Sequence, residues 1–234
     1  MPRIEPLQPG ELDECPFCEG REDRTPPEVL ALPSEGRAPN TPGWTVRVVP
    51  NLYPAVERQE VVVHSPRHVR SLAELGSGDR SLVVDAWARR AQAARREGFA
   101  YQQVVVNEGR AAGASLPHSH SQLAWFRERP PVPASERTEA GACAVCQLVR
   151  AELDSPTLGI AEADNAVVAL CAPTGRVPYE TLVAPIAHEP EPWGMPLEVG
   201  LDLAVLALRR LRALEGHVAF NLWLHCAAFG GDGH

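Results

Sequence analysis

Two Cys-x-x-Cys pairs, each followed at long range by histidines, constrain this chain more than any other feature. Cys15-Pro-Phe-Cys18 is followed by His68 and His118, and Cys143-Ala-Val-Cys146 by His188 and His234. The intervals correspond. His68 lies 50 residues after Cys18 and His118 lies 50 after His68, while His188 lies 42 after Cys146 and His234 lies 46 after His188. Between the histidines of each segment runs a helix-like stretch, residues 79–98 and 197–216. Each has an apolar face, arginines opposite and a terminal glycine suited to stopping a helix. The chain reads as a duplicated unit of roughly 100 residues, far larger than a solenoid repeat.

Two thiolates and two imidazoles make the closed tetrahedral donor set of structural zinc. Cys15, Cys18, His68 and His118 are therefore expected to hold one zinc ion, and Cys143, Cys146, His188 and His234 a second. Redox thiols are the alternative, but neither pair sits at the strand-to-helix junction of a thioredoxin-like pattern. Cys171 and Cys226 stand in apolar surroundings and are expected as core thiols. Assigning His118 to a metal leaves His120, two residues on in SLPHSHSQLAW (115–125), uncoordinated. In an extended segment positions i and i+2 share a face. A free imidazole beside a fixed anchor is how a nucleophile is positioned.

The remaining composition narrows the class. Of 234 residues 44% are apolar and 22% charged, enough to bury a globular core, and 23 prolines with 18 glycines imply many turns. A net charge of −8 argues against blanketing the phosphates of a nucleic acid, though not against one small phosphorylated ligand. The N-terminus lacks the regions of a secretory signal, and no apolar run approaches the ~20 residues of a membrane span. A cytoplasmic protein with no membrane or nucleic-acid partner is expected. Strand signals fall on WTVRVV, EVVVH, YQQVVV, SQLAWF, AVVAL, ETLVA and VAFNLWL. The proline-rich, charged stretch 127–141 reads as a linker. The five tryptophans are read as core or interface residues. His217 and His225 are read as partly buried, and the arginines of ARRAQAARREG as a solvated helix face.

An ordered set of motifs then carries a resemblance: CPFC at 15–18, PNLYPAV at 50–56, HSPRH at 64–68 and NEGRAAGASLPHSHSQ at 107–122. Together they resemble the galactose-1-phosphate uridylyltransferase family of the histidine-triad superfamily, whose members also contain two related halves. The resemblance implies an α+β fold of two tandem histidine-triad-like units, residues 1–130 and 131–234, each an antiparallel sheet with a packed helix. It implies a zinc-stabilised nucleotidyltransferase, most directly UDP-glucose:hexose-1-phosphate (galactose-1-phosphate) uridylyltransferase, with a nucleotide sugar and a sugar phosphate as partners. His120 would form a nucleotidyl-histidine intermediate, with Gln122 and Ser115 assisting. Asn51, Asn107 and the backbone N–H groups of Gly113 and Ala114 would bind substrate. The family's zinc ligands map onto Cys15, Cys18, His68 and His118. Exposed sheet edges in such units suggest a homodimer.

Three departures keep alternatives open. Ser119 stands where the family usually has proline, and Glu108 where lysine is common. The second unit stops short of the family's further His-x-His segment, so either the chain is truncated or its acceptor site is built differently. One alternative is phosphorolysis of an ADP-sugar or a dinucleoside polyphosphate; another is a non-catalytic zinc-bound nucleotide-binding protein.

Overall fold

The computed structural model describes residues 9–136, 142–157, 160–163, 166–172, 175, 177–191 and 193–231. Nine strands occur among them: β1 (Leu30–Leu32), β2 (Val46–Pro50), β3 (Arg58–Val63), β4 (Tyr101–Glu108), β5 (His120–Phe126), β6 (Ile160–Ala163), β7 (Val167–Cys171), β8 (Thr181–Pro185) and β9 (Phe220–Leu224). The three longest helices are α1 (Ser77–Arg96), α2 (Ala144–Asp154) and α3 (Met195–Glu215). The strands form two antiparallel sheets, ordered β1-β2-β3-β5-β4-β9 and β6-β7-β8.

The expected α+β architecture is present, and the two-residue period of β3 and β5 explains how it positions a site. Val62, Leu123 and Trp125 point toward α1 and join Val83, Val84 and Trp87 in the main core. Val61 and Val63 point the other way, into a second cluster with Cys15, Phe17, Ala31 and Trp44. The central strands are thus buried on both faces, which is why EVVVH reads as a continuous apolar run. Along β5 the same alternation sends Ser121 toward α1 and sends His120 and Gln122 toward the N-terminal segment.

Along the chain, β1-β2-β3, α1 and β4 are followed in the same order by β6-β7-β8, α3 and β9. Strands β4 and β9, each following its unit's long helix, pair antiparallel with Val106 opposite Leu222. The expected boundary at 130/131 therefore separates the two sheets but not β9, which crosses over to complete the first. Helix α3 packs on β7 and β8 and against α1, so it spans both layers. At that contact a Cβ on Gly200 would lie 3.6 Å from Val183 Cγ1, which shows how closely α3 approaches β8.

Several expectations need correction. Strands β1 and β6 are too short to show a period and were not anticipated. Cys171 is exposed at the end of β7, whereas Cys226 is buried as expected. Trp223 is 54% exposed on β9, because its face lies outside the main core. His217 and His225 are exposed rather than partly buried. Arg90 is not simply solvated: it stacks on Trp125 and pairs with the fully buried Glu60, whose carboxylate needs a cation away from water.

Candidate active site and metal centres

The N-terminal segment folds back so that Cys15 and Cys18 meet two histidines far along the chain. One donor atom from each of Cys15, Cys18, His68 and His118 lies within 4.8 Å of all the others. Cys15 Sγ and His118 Nδ1 are 3.4 Å apart, Cys18 Sγ and His68 Nδ1 3.4 Å, and Cys18 Sγ and His118 Nδ1 3.8 Å. A tetrahedral ion with sulfur at ~2.3 Å and nitrogen at ~2.0 Å requires sulfur and nitrogen about 3.5 Å apart, so the set fits a zinc-sized cation.

The far side of each ring supports this fit. His118 Nε2 donates to Ser65 O at 2.9 Å, and His68 Nε2 donates to Glu11 Oε1 at 3.1 Å. Both acceptors take only protons, so each Nε2 carries the hydrogen and each Nδ1 turns its lone pair toward the thiols. Arg70 Nε holds the same Glu11 oxygen at 3.0 Å. Burial first, then the neighbouring Cys15, pushes the Cys18 thiol up to about 11. Burial, then His68, pushes His118 down to about 4. Two thiolates sharing this pocket are costly without a cation.

A second cluster comprises Cys143, Cys146 and His188, with Cys146 Sγ 3.3 Å from His188 Nδ1. Cys143 also caps α2, its sulfur accepting the Cys146 N–H. The expected fourth ligand, His234, lies outside the described residues.

His120 is buried beside the first cluster but belongs to none of it. Its Nδ1 donates to His118 O at 2.8 Å. A carbonyl cannot donate, so the proton sits on Nδ1 and Nε2 keeps an uncommitted lone pair. Burial lowers the His120 pKa, against the opposing effect of the His118 carbonyl, and so favours the neutral ring. Phe17 sets its edge against that ring, with centroids 5.4 Å apart. A cleft beside His120 is lined by Arg70, Asn107, Glu108, Leu116 and Pro117.

The other expected residues fall into different situations. Gln122 Oε1 accepts from Gln59 Nε2 at 2.5 Å, which orients the Gln122 amide. Gln59 was missed from sequence, and its own Oε1 holds the Ala55 N–H of the PNLYPAV loop at 2.7 Å. Asn51 Oδ1 closes a turn onto Tyr53 N–H at 3.0 Å. Asn107 Oδ1 is held by Asn221 Nδ2 at 2.7 Å. Ser115 is exposed on the loop. Gly113 N–H donates to Arg110 O at 3.0 Å and Ala114 N–H to Gly109 O at 3.2 Å. Contrary to expectation, neither is a free phosphate donor in this conformation; both close a tight turn. Glu108 turns its carboxylate to Arg212 of α3 and to the Leu72 N–H, so its charge is met by protein.

Comparison with known proteins gives consistent results. A family model described as galactose-1-phosphate uridyl transferase, N-terminal domain, matches residues 54–130. The chain is 32% identical over 166 residues to ADP-glucose phosphorylase of Arabidopsis thaliana, covering 57% of this chain and 45% of that protein. It is 26% identical over 215 residues to galactose-1-phosphate uridylyltransferase of Thermotoga maritima, covering 78% and 60%. The chain thus spans less than two thirds of either relative. The crystal structure of the Arabidopsis thaliana phosphorylase with bound ADP-glucose superposes with a TM-score of 0.79 at 26% identity, covering 93% of this chain and 75% of that one.

Proposed function

We propose that this chain, which belongs to the galactose-1-phosphate uridylyltransferase family of the histidine-triad superfamily, transfers a nucleotidyl group through a covalent adduct on His120. One observation carries the proposal: the His120 ring is buried and neutral, with Nδ1–H given to a carbonyl and Nε2 unoccupied. The Nε2 lone pair attacks the α-phosphorus of a nucleotide sugar. The bond from that phosphorus to the bridging oxygen breaks, and the sugar 1-phosphate leaves with the electron pair. The imidazolium formed keeps its Nδ1–H bond to His118 O. An acceptor phosphate oxygen then attacks the same phosphorus and expels Nε2, so one difficult displacement becomes two easier ones.

In this scheme the Gln122 NH2 donates to a phosphoryl oxygen, its orientation set by Gln59. Asn51, Asn107 and Ser115 line the path of the nucleotide and its phosphates. A zinc ion held by Cys15, Cys18, His68 and His118 supplies folding energy and fixes the segment before His120, with no redox or acid chemistry required. Cys143, Cys146 and His188 would hold a second.

UDP-glucose as donor with galactose 1-phosphate as acceptor is the first reading, supported by the family match. A second reading is phosphorolysis of ADP-glucose by inorganic phosphate, and the similarity to a plant ADP-glucose phosphorylase favours it. Intact-mass spectrometry after exposure to UDP-glucose, ADP-glucose and diadenosine tetraphosphate separates them, because the added mass identifies the transferred nucleotide. Absence of an adduct from every donor, with nucleotide binding retained, would leave a zinc-bound nucleotide-binding protein instead.

A further inference from the structure

No step of the proposed chemistry uses His64, yet it is fully buried, and both nitrogens of so enclosed an imidazole need partners. Those partners are the two serines flanking His120: Nδ1 lies 2.9 Å from Ser119 Oγ and Nε2 lies 3.1 Å from Ser121 Oγ. From the far side, Trp87 of α1 donates its indole N–H to the same Ser121 hydroxyl at 2.8 Å. Trp87 can only donate, so Ser121 accepts from it. Ser121 O–H can then donate to His64 Nε2, and His64 Nδ1–H to Ser119 Oγ, which satisfies both nitrogens of a neutral ring. The main chain is fastened at the same place. Ser119 N–H donates to Val69 O at 2.7 Å, and His64 N–H donates to Ser119 O at 3.2 Å.

We infer that His64 is a positioning residue for the nucleophile, clamping Ser119 and Ser121 from the α1 side of the sheet so that His120 is held aimed on the opposite side. This rests on the proposed role of His120. Strand alternation makes the clamp effective: with the residues before and after His120 tied below the sheet, the backbone at His120 cannot rotate without breaking one of the ties. A serine leaves φ free between the two histidines, where a proline would lock it. Stiffness at Ser119 must therefore come from hydrogen bonds, and His64 with Val69 provides them. What freedom remains is the His120 side chain's own, which the His118 carbonyl and Phe17 restrain.

The test compares zinc-loaded full-length wild type with His64→Phe, His64→Gln and Ser119→Ala. In nitrogen-15 spectra of the imidazoles, wild-type His120 should show one tautomer with a slowly exchanging Nδ1–H. In His64→Phe that proton should exchange faster, and adduct formation should slow by about tenfold or more at unchanged donor KM, as expected when a reacting group is misplaced. His64→Gln, which restores a donor and an acceptor, should recover part of both effects. Ser119→Ala, which removes one anchor without adding volume, should shift both in the same direction by less. Unchanged His120 spectra in His64→Phe and Ser119→Ala overturn the inference, as does a rise in KM with the rate intact. Should His64→Phe lose zinc or unfold, Ser119→Ala and His64→Gln decide: wild-type spectra in the first, or no better behaviour than His64→Phe in the second, overturn it. A wild type that takes no label from any donor, while the variants still loosen the His120 proton, defeats the transferase proposal and leaves the clamp standing.

Discussion

His118 and His120 are the same residue type, two positions apart on one face, and burial lowers the pKa of both. What separates them is the partner of Nδ1: thiols for the first, a backbone carbonyl for the second. Substitution should therefore separate their roles. His120→Ala is expected to abolish the adduct while zinc content stays at the wild-type level. His118→Ala should lose the ion and, with it, several kcal/mol of stability. Equal metal loss from both, measured by inductively coupled plasma analysis, would refute this division. His64 gives a second prediction, in pH. Burial first, then the nearby His120 and His118, holds its pKa well below 6.5. The folded state keeps it neutral while the unfolded chain binds a proton below about 6.5, so its contribution is intact above that value and is lost as pH falls. The acid slope of stability, at most about 1.4 kcal/mol per pH unit for one proton, should shrink in His64→Phe when both proteins are unfolded with urea between pH 7 and 5. The histidine pair was legible from sequence because two-residue spacing fixes a shared face. His64 and Gln59 were not, because each meets its partner through strand register, 55 and 63 residues away.

The Cys-x-x-Cys pairs show why short elements can be read while their surroundings cannot. A two-residue spacer holds two sulfurs near each other in many local conformations, so the motif survives ignorance of the fold. The short strands β1 and β6, three and four residues long, carry no period long enough to notice. The fate of Glu108 depends on Arg212, which α3 delivers from more than 100 residues away. The second pair makes its own prediction. In the second cluster Cys143 and Cys146 bracket the first turn of α2, and Cys143 caps it. Cys146→Ser should roughly halve the metal bound per chain and soften α2 and the β6-β7-β8 layer, while His120 still accepts its nucleotide. An unchanged metal content would show that this cluster holds no ion.

Placing β9 in the first sheet makes the two halves interdependent at the candidate site itself, a consequence invisible to a boundary drawn at the proline-rich linker. Asn221 of β9 donates to Asn107 Oδ1 at 2.7 Å and to Ala112 O at 2.8 Å, so it ties the end of β4 to the first turn of the loop that leads to the histidines. Where β9 begins, the loop passes so close that a Cβ on Gly109 would stand 2.8 Å from Ala219 Cβ. Gly109 also has φ 83° and ψ 150°, a combination essentially restricted to glycine. Gly109→Ala therefore combines backbone strain of about 1–3 kcal/mol with a clash that must push β9 from β4 or move the loop. Asn221→Ala removes only two exposed hydrogen bonds, so its effect on global stability should stay near or below about 1 kcal/mol. Both should slow adduct formation, and the milder variant separates loop positioning from folding. An Asn221→Ala protein with unchanged melting temperature should form the adduct roughly fivefold more slowly, the rate equivalent of about 1 kcal/mol of lost loop support. If it reacts as fast as wild type, the second half contributes its strand to the sheet but nothing to the loop.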